Sequence, residues 1–229
     1  MSHSIVIAVD GPAASGKGTL ARRLARHFNF AHMDSGALYR LTALSVLESG
    51  GDPTRESDAI WGARSIDLSR AGDPAIRTDV IGIAASRVSA IPAVRAALHD
   101  FQTSFLAHPP GGSLGAVMDG RDIGTVIAPA AAAKLYIEAN PEIRARRRWL
   151  ELKALGVDKD LEILLGEIRA RDHADRTRAI SPLRRAEDAD LLDTSNLDID
   201  AAFAAALALV EPKVLPILKG RAQGPSQGL

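Results

Sequence analysis

The sequence predicts an α/β fold, a parallel sheet of about five strands flanked by helices, and three observations predict it. Short apolar runs alternate with amphipathic stretches of helix length, a pattern that places parallel strands between layers of helices. The first run, 5-IVIAVD-10, passes directly into the glycine-rich 11-GPAASGKGTL-20 and then into a helical stripe. The 229 residues suffice for one such domain with an insertion, or for two small domains.

The elements follow in order. Ile5 to Asp10 is ended by Gly-Pro and suits a buried parallel strand. From Lys17 to Phe28 the apolar positions Leu20, Ala21, Leu24, Ala25 and Phe28 form one helical face. A second helix fits Gly36 to Leu47. Residues 49–78 are rich in Gly, Pro, Asp and Ser without clear period and read as an insertion. Helices fit Asp79 to Ser89 and Pro92 to Leu106, with Pro92 at a helix start. After the loop 107-AHPPGGSLG-115 come strands at Gly115 to Asp119 and Lys134 to Glu138. Pro141 to Leu155 is helical and very basic on one side. Gly156 breaks it, and Asp160 to Arg171 is helical again. Leu191 to Thr194 is the last strand and Asp198 to Val210 the last helix. Residues 219–229 read as a disordered tail.

Composition bounds the function. Apolar residues make up 46% and charged residues 24%, ordinary for a globular protein. Lys plus Arg and Asp plus Glu are 28 each, so no net field draws the chain to nucleic acid or an anionic membrane. No apolar run approaches the length needed to cross a bilayer, and the start of the chain lacks the features of an export signal. Cysteine is absent, which excludes disulfides and thiolate metal sites and fits a reducing cytoplasm. A cytoplasmic monomer with small-molecule partners is expected. Arginine outnumbers lysine 22 to 6, so planar bidentate phosphate contacts are plentiful.

Gly11, four residues, then Gly16-Lys17 is the spacing of a phosphate-cradling loop. Backbone N–H groups of residues 12–18 would surround a β-phosphate, with glycine wherever a Cβ would block the approach or φ is positive. The next helix adds its positive end, and Lys17 would bridge β- and γ-phosphates. The alternative, a glycine-rich turn of no function, is disfavoured by the strand before it and the helix after it. Gly18 stands where such loops usually carry the Ser or Thr that reaches Mg2+. The first hydroxyl comes one place late, at Thr19. The metal would then be held by phosphates and water, with Thr19 touching a phosphate. This argues against GTPases, and no Asn-Lys-x-Asp guanine motif is present.

Three further clusters could hold an acceptor. In 34-DSGALYR-40, Ser35 and Arg40 could touch opposite ends of a small ligand, or Asp34 and Ser35 could simply cap a helix with Arg40 solvated. In 119-DGRDIGT-125, at the C-terminal end of a strand where ligands of parallel sheets lie, Asp119 could order Mg2+-bound water. The alternative there is a local Arg121–Asp122 ion pair closing the turn. The segment 171-RDHADRTR-178 reads alone as an exposed, salt-bridged helix. The six histidines (3, 27, 32, 99, 108 and 173) show no metal spacing and read as surface or core residues.

Together, Gly-Pro-x-x-Ser-Gly-Lys-Gly-Thr, Asp-Ser-Gly-Ala-Leu-Tyr-Arg, Asp-Gly-Arg-Asp-Ile-Gly-Thr, Arg-Asp-x-x-Asp-Arg-x-Arg and Ser-Pro-Leu, in this order, resemble bacterial cytidylate kinase over residues 5 to about 210. That family consists of nucleoside monophosphate kinases with a P-loop NTPase-type sheet. The resemblance implies phosphoryl transfer from MgATP to CMP or dCMP. It implies that Gly11, Pro12, Ala13, Ala14, Ser15, Gly16, Lys17, Gly18 and Thr19 hold ATP, and that Arg147 or Arg148 lies over its base or phosphates. It puts Arg40, Arg121 and Arg178 on the CMP phosphate and, with Lys17, in catalysis. Ser35, Arg95 and Asp122 would read the cytosine edge. Ser86 and Asp175 would meet the sugar, with Arg171 in support. The implied organisation is a core of 1–48 and 107–218, a CMP-binding insertion at 49–106 and a lid at 149–160. Members commonly carry a small sheet in the insertion; here 66-IDLSRAGDPAIRTDVI-81 has room for one weak hairpin at most.

These roles make chemical sense. A phosphate acceptor is already anionic, so no general base is needed; the work is alignment and charge neutralisation. Asp122 would accept from the cytosine amine and repel the carbonyl of uracil. The rival readings are a small-molecule kinase for another acceptor and a nucleotide-binding switch without catalysis.

Overall fold

The computed structural model describes residues 4–154 and 156–222. Five strands form one parallel sheet: β1 (Ile5–Asp10), β2 (Ala31–Asp34), β3 (Gly115–Gly120), β4 (Ala133–Glu138) and β5 (Asp190–Asp193), in the order β2-β3-β1-β4-β5. β1 is central, and its alternation divides the core. Ile5, Ile7 and Val9 pack against α1 (Lys17–Phe28) through Leu20, Leu24 and Phe28. Ala8 faces the other way, toward Met118, Ile123 and Leu106. β2 escaped the sequence reading because 31-AHMD-34 is a four-residue edge strand whose side chains are all only half-buried.

α2 (Ser35–Glu48), α3 (Glu56–Arg64), α4 (Asp79–Ser89) and α5 (Pro92–Ala107) share a second apolar cluster around Leu41, Ile76, Val88 and Leu98. The stretch read as patternless therefore holds a helix. Residues 66–81 form no hairpin: Asp67 and Asp73 cap two 3-10 turns, Leu68–Gly72 and Pro74–Arg77, before α4 starts. α6 (Pro141–Ala154) and α7 (Leu161–Thr177) pair through Ala145, Leu152, Leu164, Leu165 and Ile168, with Ala14 of the glycine-rich loop packed against them.

α8 (Ile199–Ala222) is longer than expected. Pro212 and Pro216 lie on its exposed face, while Val210 and Val214 continue the buried stripe of Ala202 and Ala206 against the sheet. Residues 219–222 are thus helical rather than disordered, and 223–229 lie outside the described residues. The expectation that no segment is long and apolar enough to cross a membrane also fails by composition. Ile199–Arg221 has a mean hydropathy of 1.7 in its apolar window. Here one face of it covers β1, β4 and β5, and Lys213 pairs with Asp190 at 2.6 Å.

Candidate active site

The C-terminal ends of β1, β2 and β3 deliver Asp10, Asp34 and Asp119 to one edge of the sheet, where the loop 11–16 also lies. A Cβ on Gly11 (φ +154°) would stand 2.2 Å from the Ile137 carbonyl oxygen, so only glycine leaves β1 this way. Ala14 and Gly16 take φ of +57° and +87°. α1 starts without a side-chain cap and without an acid in its first turn, so its positive end faces the loop undiminished. Gly11→Ala is expected to cost roughly 1–3 kcal/mol of stability through overpacking. It should also weaken ATP binding more than CMP binding, and a melting curve with two titrations checks both.

Lys17 lies at the mouth of the loop, its Nζ 3.4 Å from the Pro12 carbonyl oxygen. Burial of the ammonium and then the Arg121 guanidinium push its pKa down to about 7. Gly18 explains itself in space. A Cβ there would lie 3.3 Å from Asp119 Oδ2, so the missing side chain makes room for a carboxylate. Asp119 is buried, and its Oδ1 is held 2.9 Å from His32 Nε2.

Facing the loop are three guanidinium groups from three elements: Arg40 of α2, Arg121 after β3 and Arg171 of α7. None is exposed. Arg40 donates to the Ile76 carbonyl at 2.7 Å, and both Arg40 and Arg171 come within about 4 Å of where a Cβ on Gly82 would stand. Burial and then Arg121 lower the Arg171 pKa to about 10. Burial also lowers that of Arg40. Burial works against Arg121 most strongly, but the carboxylates of Asp175, 2.8 Å from Nε, and of Asp34 and Asp119 together outweigh it and raise that pKa. Asp175 itself stays low despite its burial because Arg121 and Arg171 face it.

A second corner lies beside this cluster. Arg95 and Asp122, both buried, are ion-paired through Asp122 Oδ2, and Arg95 lies over the Tyr39 ring at 5.4 Å. Asp122 Oδ1 has Arg178 Nη2 3.9 Å away. Asp10 fastens the Asp122 turn to β1 by accepting from Ile123 N and Gly124 N at 2.8 and 2.7 Å. Burial raises the Asp10 pKa to about 6 against those hydrogen bonds.

These positions decide between the sequence alternatives. Arg121 and Asp122 do not close the turn as a pair; each has a partner elsewhere. The segment 171–178 is not a solvated face, because Arg171, Asp172, Asp175 and Arg178 turn inward while Arg176 is exposed. Asp34 does cap α2 through the Ala37 N–H, but Arg40 is not solvated. Ser35 donates to the Asp119 carbonyl oxygen at 2.8 Å, apart from the Arg95–Asp122 corner. Ser86 lies half-buried on α4. Arg178 lies 3.9 Å from both Asp122 and Asp175, whereas Arg171 stands with Arg40 beside Gly82. Arg147 approaches the loop at Gly16 and donates to the Thr194 carbonyl oxygen at 2.5 Å. Arg148 turns to the start of α4 and pairs with Asp79 at 3.1 Å.

Sequence reading missed Asp10, Tyr39, Arg144, Asp172 and Thr194 as site residues. Asp10 carried a signal as an acid ending the strand that enters the loop, and Tyr39 and Asp172 stood inside the quoted motifs; Arg144 and Thr194 carried none. Four buried side-chain polar atoms lack a hydrogen-bond partner among the described residues, and two of them, Arg171 Nε and Arg178 Nη2, belong to the arginines of this site. A buried N–H without an acceptor is costly, so the cleft is built for an anion.

A sequence profile for cytidylate kinase matches residues 7–212. The chain belongs to the cytidylate kinase family. A cytidylate kinase of Nitrobacter winogradskyi is 52% identical over 207 residues, covering 90% of this chain and 96% of the relative. One of Bradyrhizobium diazoefficiens is 47% identical over 220 residues, 96% of this chain and 100% of the relative. A crystal structure of an uncharacterized protein from Eubacterium ventriosum superposes with a TM-score of 0.53 at 15% identity, covering 91% of this chain and 99% of that one, and shows the shared fold alone. The enzyme is a nucleoside monophosphate kinase that phosphorylates CMP; ATP as donor and CDP as product follow from the family.

Proposed function

We propose that ATP lies on Gly11 to Thr19 and that the CMP phosphate lies among Arg40, Arg121 and Arg171, pointing at the γ-phosphate. The observation that carries this reading is the convergence of three guanidinium groups and Lys17 on one cleft, with the Arg171 Nε unpaired. Asp122 Oδ1 accepts from the cytosine amine while Arg95 holds Oδ2. Arg178 lies between the base and phosphate ends, Asp175 and Ser86 face the sugar, and dCMP is accepted as well. Ser35 supports the Asp119–Gly120 turn. Arg147 covers the donor; Arg148 joins lid residues 149–160 to the insertion 49–106, around a core of 1–48 and 107–218. The enzyme works on free nucleotides as a cytoplasmic monomer, without nucleic acid or membrane.

The residues fit a magnesium ion carried by the nucleotide. The Asp119 carboxylate faces the position that Gly18 leaves open and would help to hold such an ion, which would add charge neutralisation between the phosphates. The protein's own contribution is positional. Lys17 and the arginines neutralise oxygens that gain charge as the phosphoryl group moves. Closure of the lid keeps water from competing as acceptor.

A panel of nucleoside monophosphates with ATP tests the assignment. CMP and dCMP should be turned over fastest, and faster turnover of UMP or AMP would contradict the role of Asp122. Protonation gives a separate test. A phosphate beside Lys17 favours its charged form, so binding raises the pKa from about 7. At pH 8, MgATP binding should then be accompanied by net proton uptake. Titration calorimetry in buffers of different ionisation enthalpy measures this. No uptake, or equal uptake by Lys17→Met, would contradict it.

A further inference from the structure

The phosphate loop is held from behind by a residue that touches no nucleotide in the reading above. Arg144 of α6 is only 1% exposed, yet it is fully engaged. Its Nε donates to the Ala139 carbonyl oxygen at 2.8 Å, and its Nη1 to the Ala13 carbonyl oxygen at 3.1 Å. Nη1 and Nη2 also form a two-pronged pair with Asp172 of α7, at 3.0 and 2.6 Å. The planar guanidinium thus joins the end of β4, the phosphate loop and the helix that carries Arg171.

The consequence lies in the Ala13–Ala14 peptide. In a trans peptide the C=O of one residue and the N–H of the next point in opposite directions. Arg144 fixes the Ala13 carbonyl outward, so the Ala14 N–H is aimed the other way, into the loop. Ala14 reaches this orientation at φ +57°, a left-handed conformation that alanine adopts only under constraint. One residue further, the Thr194 hydroxyl lies 3.1 Å from the Ser15 carbonyl oxygen. Alternate carbonyls of the loop are therefore held from outside.

We propose that Arg144, oriented by Asp172, is a positioning residue that aims the Ala14 N–H at the donor phosphate and holds alanine in a backbone state it would otherwise leave. This rests on the reading of Gly11 to Thr19 as the donor site. A merely structural Arg144–Asp172 pair would matter for stability but not for the loop in particular.

Two backgrounds separate these roles. Arg144→Lys keeps a charge opposite Asp172 but cannot span the Ala13 carbonyl and both carboxylate oxygens. The Kd for MgADP, measured by calorimetry well below the melting temperature, should rise about 10- to 100-fold, with the Kd for CMP within about twofold. Adding Ala14→Gly should recover much of the lost MgADP affinity, because glycine takes the positive φ without strain. Asp172→Asn should show a smaller loss with the same recovery. Unchanged MgADP affinity in a folded Arg144 variant would overturn the proposal. So would equal loss of MgADP and CMP with no recovery by Ala14→Gly. If neither variant folds, a crystal of the unaltered protein with MgADP decides: the Ala14 N–H should meet a phosphate oxygen, and an N–H pointing away would overturn the proposal. Failure of the unaltered protein to bind MgADP would instead refute the donor-site reading.

Discussion

Lys17→Met lowers kcat by ~10²-fold or more, with a smaller change in the KM for CMP. The expectation follows from where the ammonium sits. It lies at the mouth of the loop, partly stripped of water and facing Arg121, so an anion between the two removes a repulsion that exists before binding. That gain grows as charge moves onto the oxygens between donor and acceptor, and a contribution that grows toward the transition state appears in kcat. Methionine matches the length of the stem and keeps its packing. Steady-state kinetics with both substrates varied measures the effect, and near-normal turnover would remove Lys17 from the chemistry.

Asp122→Asn raises the KM for CMP about 10- to 100-fold, leaves that for ATP nearly unchanged, and narrows the preference for CMP over UMP. Asp122 Oδ2 holds Arg95, and in the proposed site Oδ1 is the oxygen that would accept from the cytosine amine. An amide presents a donor on one side and cannot serve both partners. Asparagine is a better probe than alanine. Both substitutions remove the counterion of buried Arg95, but the asparagine oxygen can still accept from it, whereas alanine leaves it with no partner at that position, and loss of one partner of a buried pair typically costs about 3–5 kcal/mol. Equal effects on both substrates would place Asp122 outside the acceptor site.

What the sequence discloses and what it conceals differ by physical cause. β1, α1, β3 and β4 were legible because each is a buried run or a full helical stripe. β2 and α3 were not. β2 is four residues long at an edge, and α3 buries mainly Ala59, Gly62 and Ala63, residues too small to mark a face. The motif arginines were legible as a set, because anion chemistry leaves them clustered by type. Their partners were not, since partners come from distant segments. Arg121 and Asp122 are neighbours in the chain but reach Asp175 and Arg95. In 144-RARRR-148 the sequence gives no means to tell Arg144, which is buried, from Arg146, which is exposed.

The most direct measurement is a crystal structure of the enzyme with CMP and MgADP together. The account predicts the CMP phosphate among Arg40, Arg121 and Arg171, its free oxygen directed at the β-phosphate held by residues 11–19, and the cytosine amine at Asp122. A CMP phosphate turned away from that loop, or bound clear of those three arginines, would contradict it.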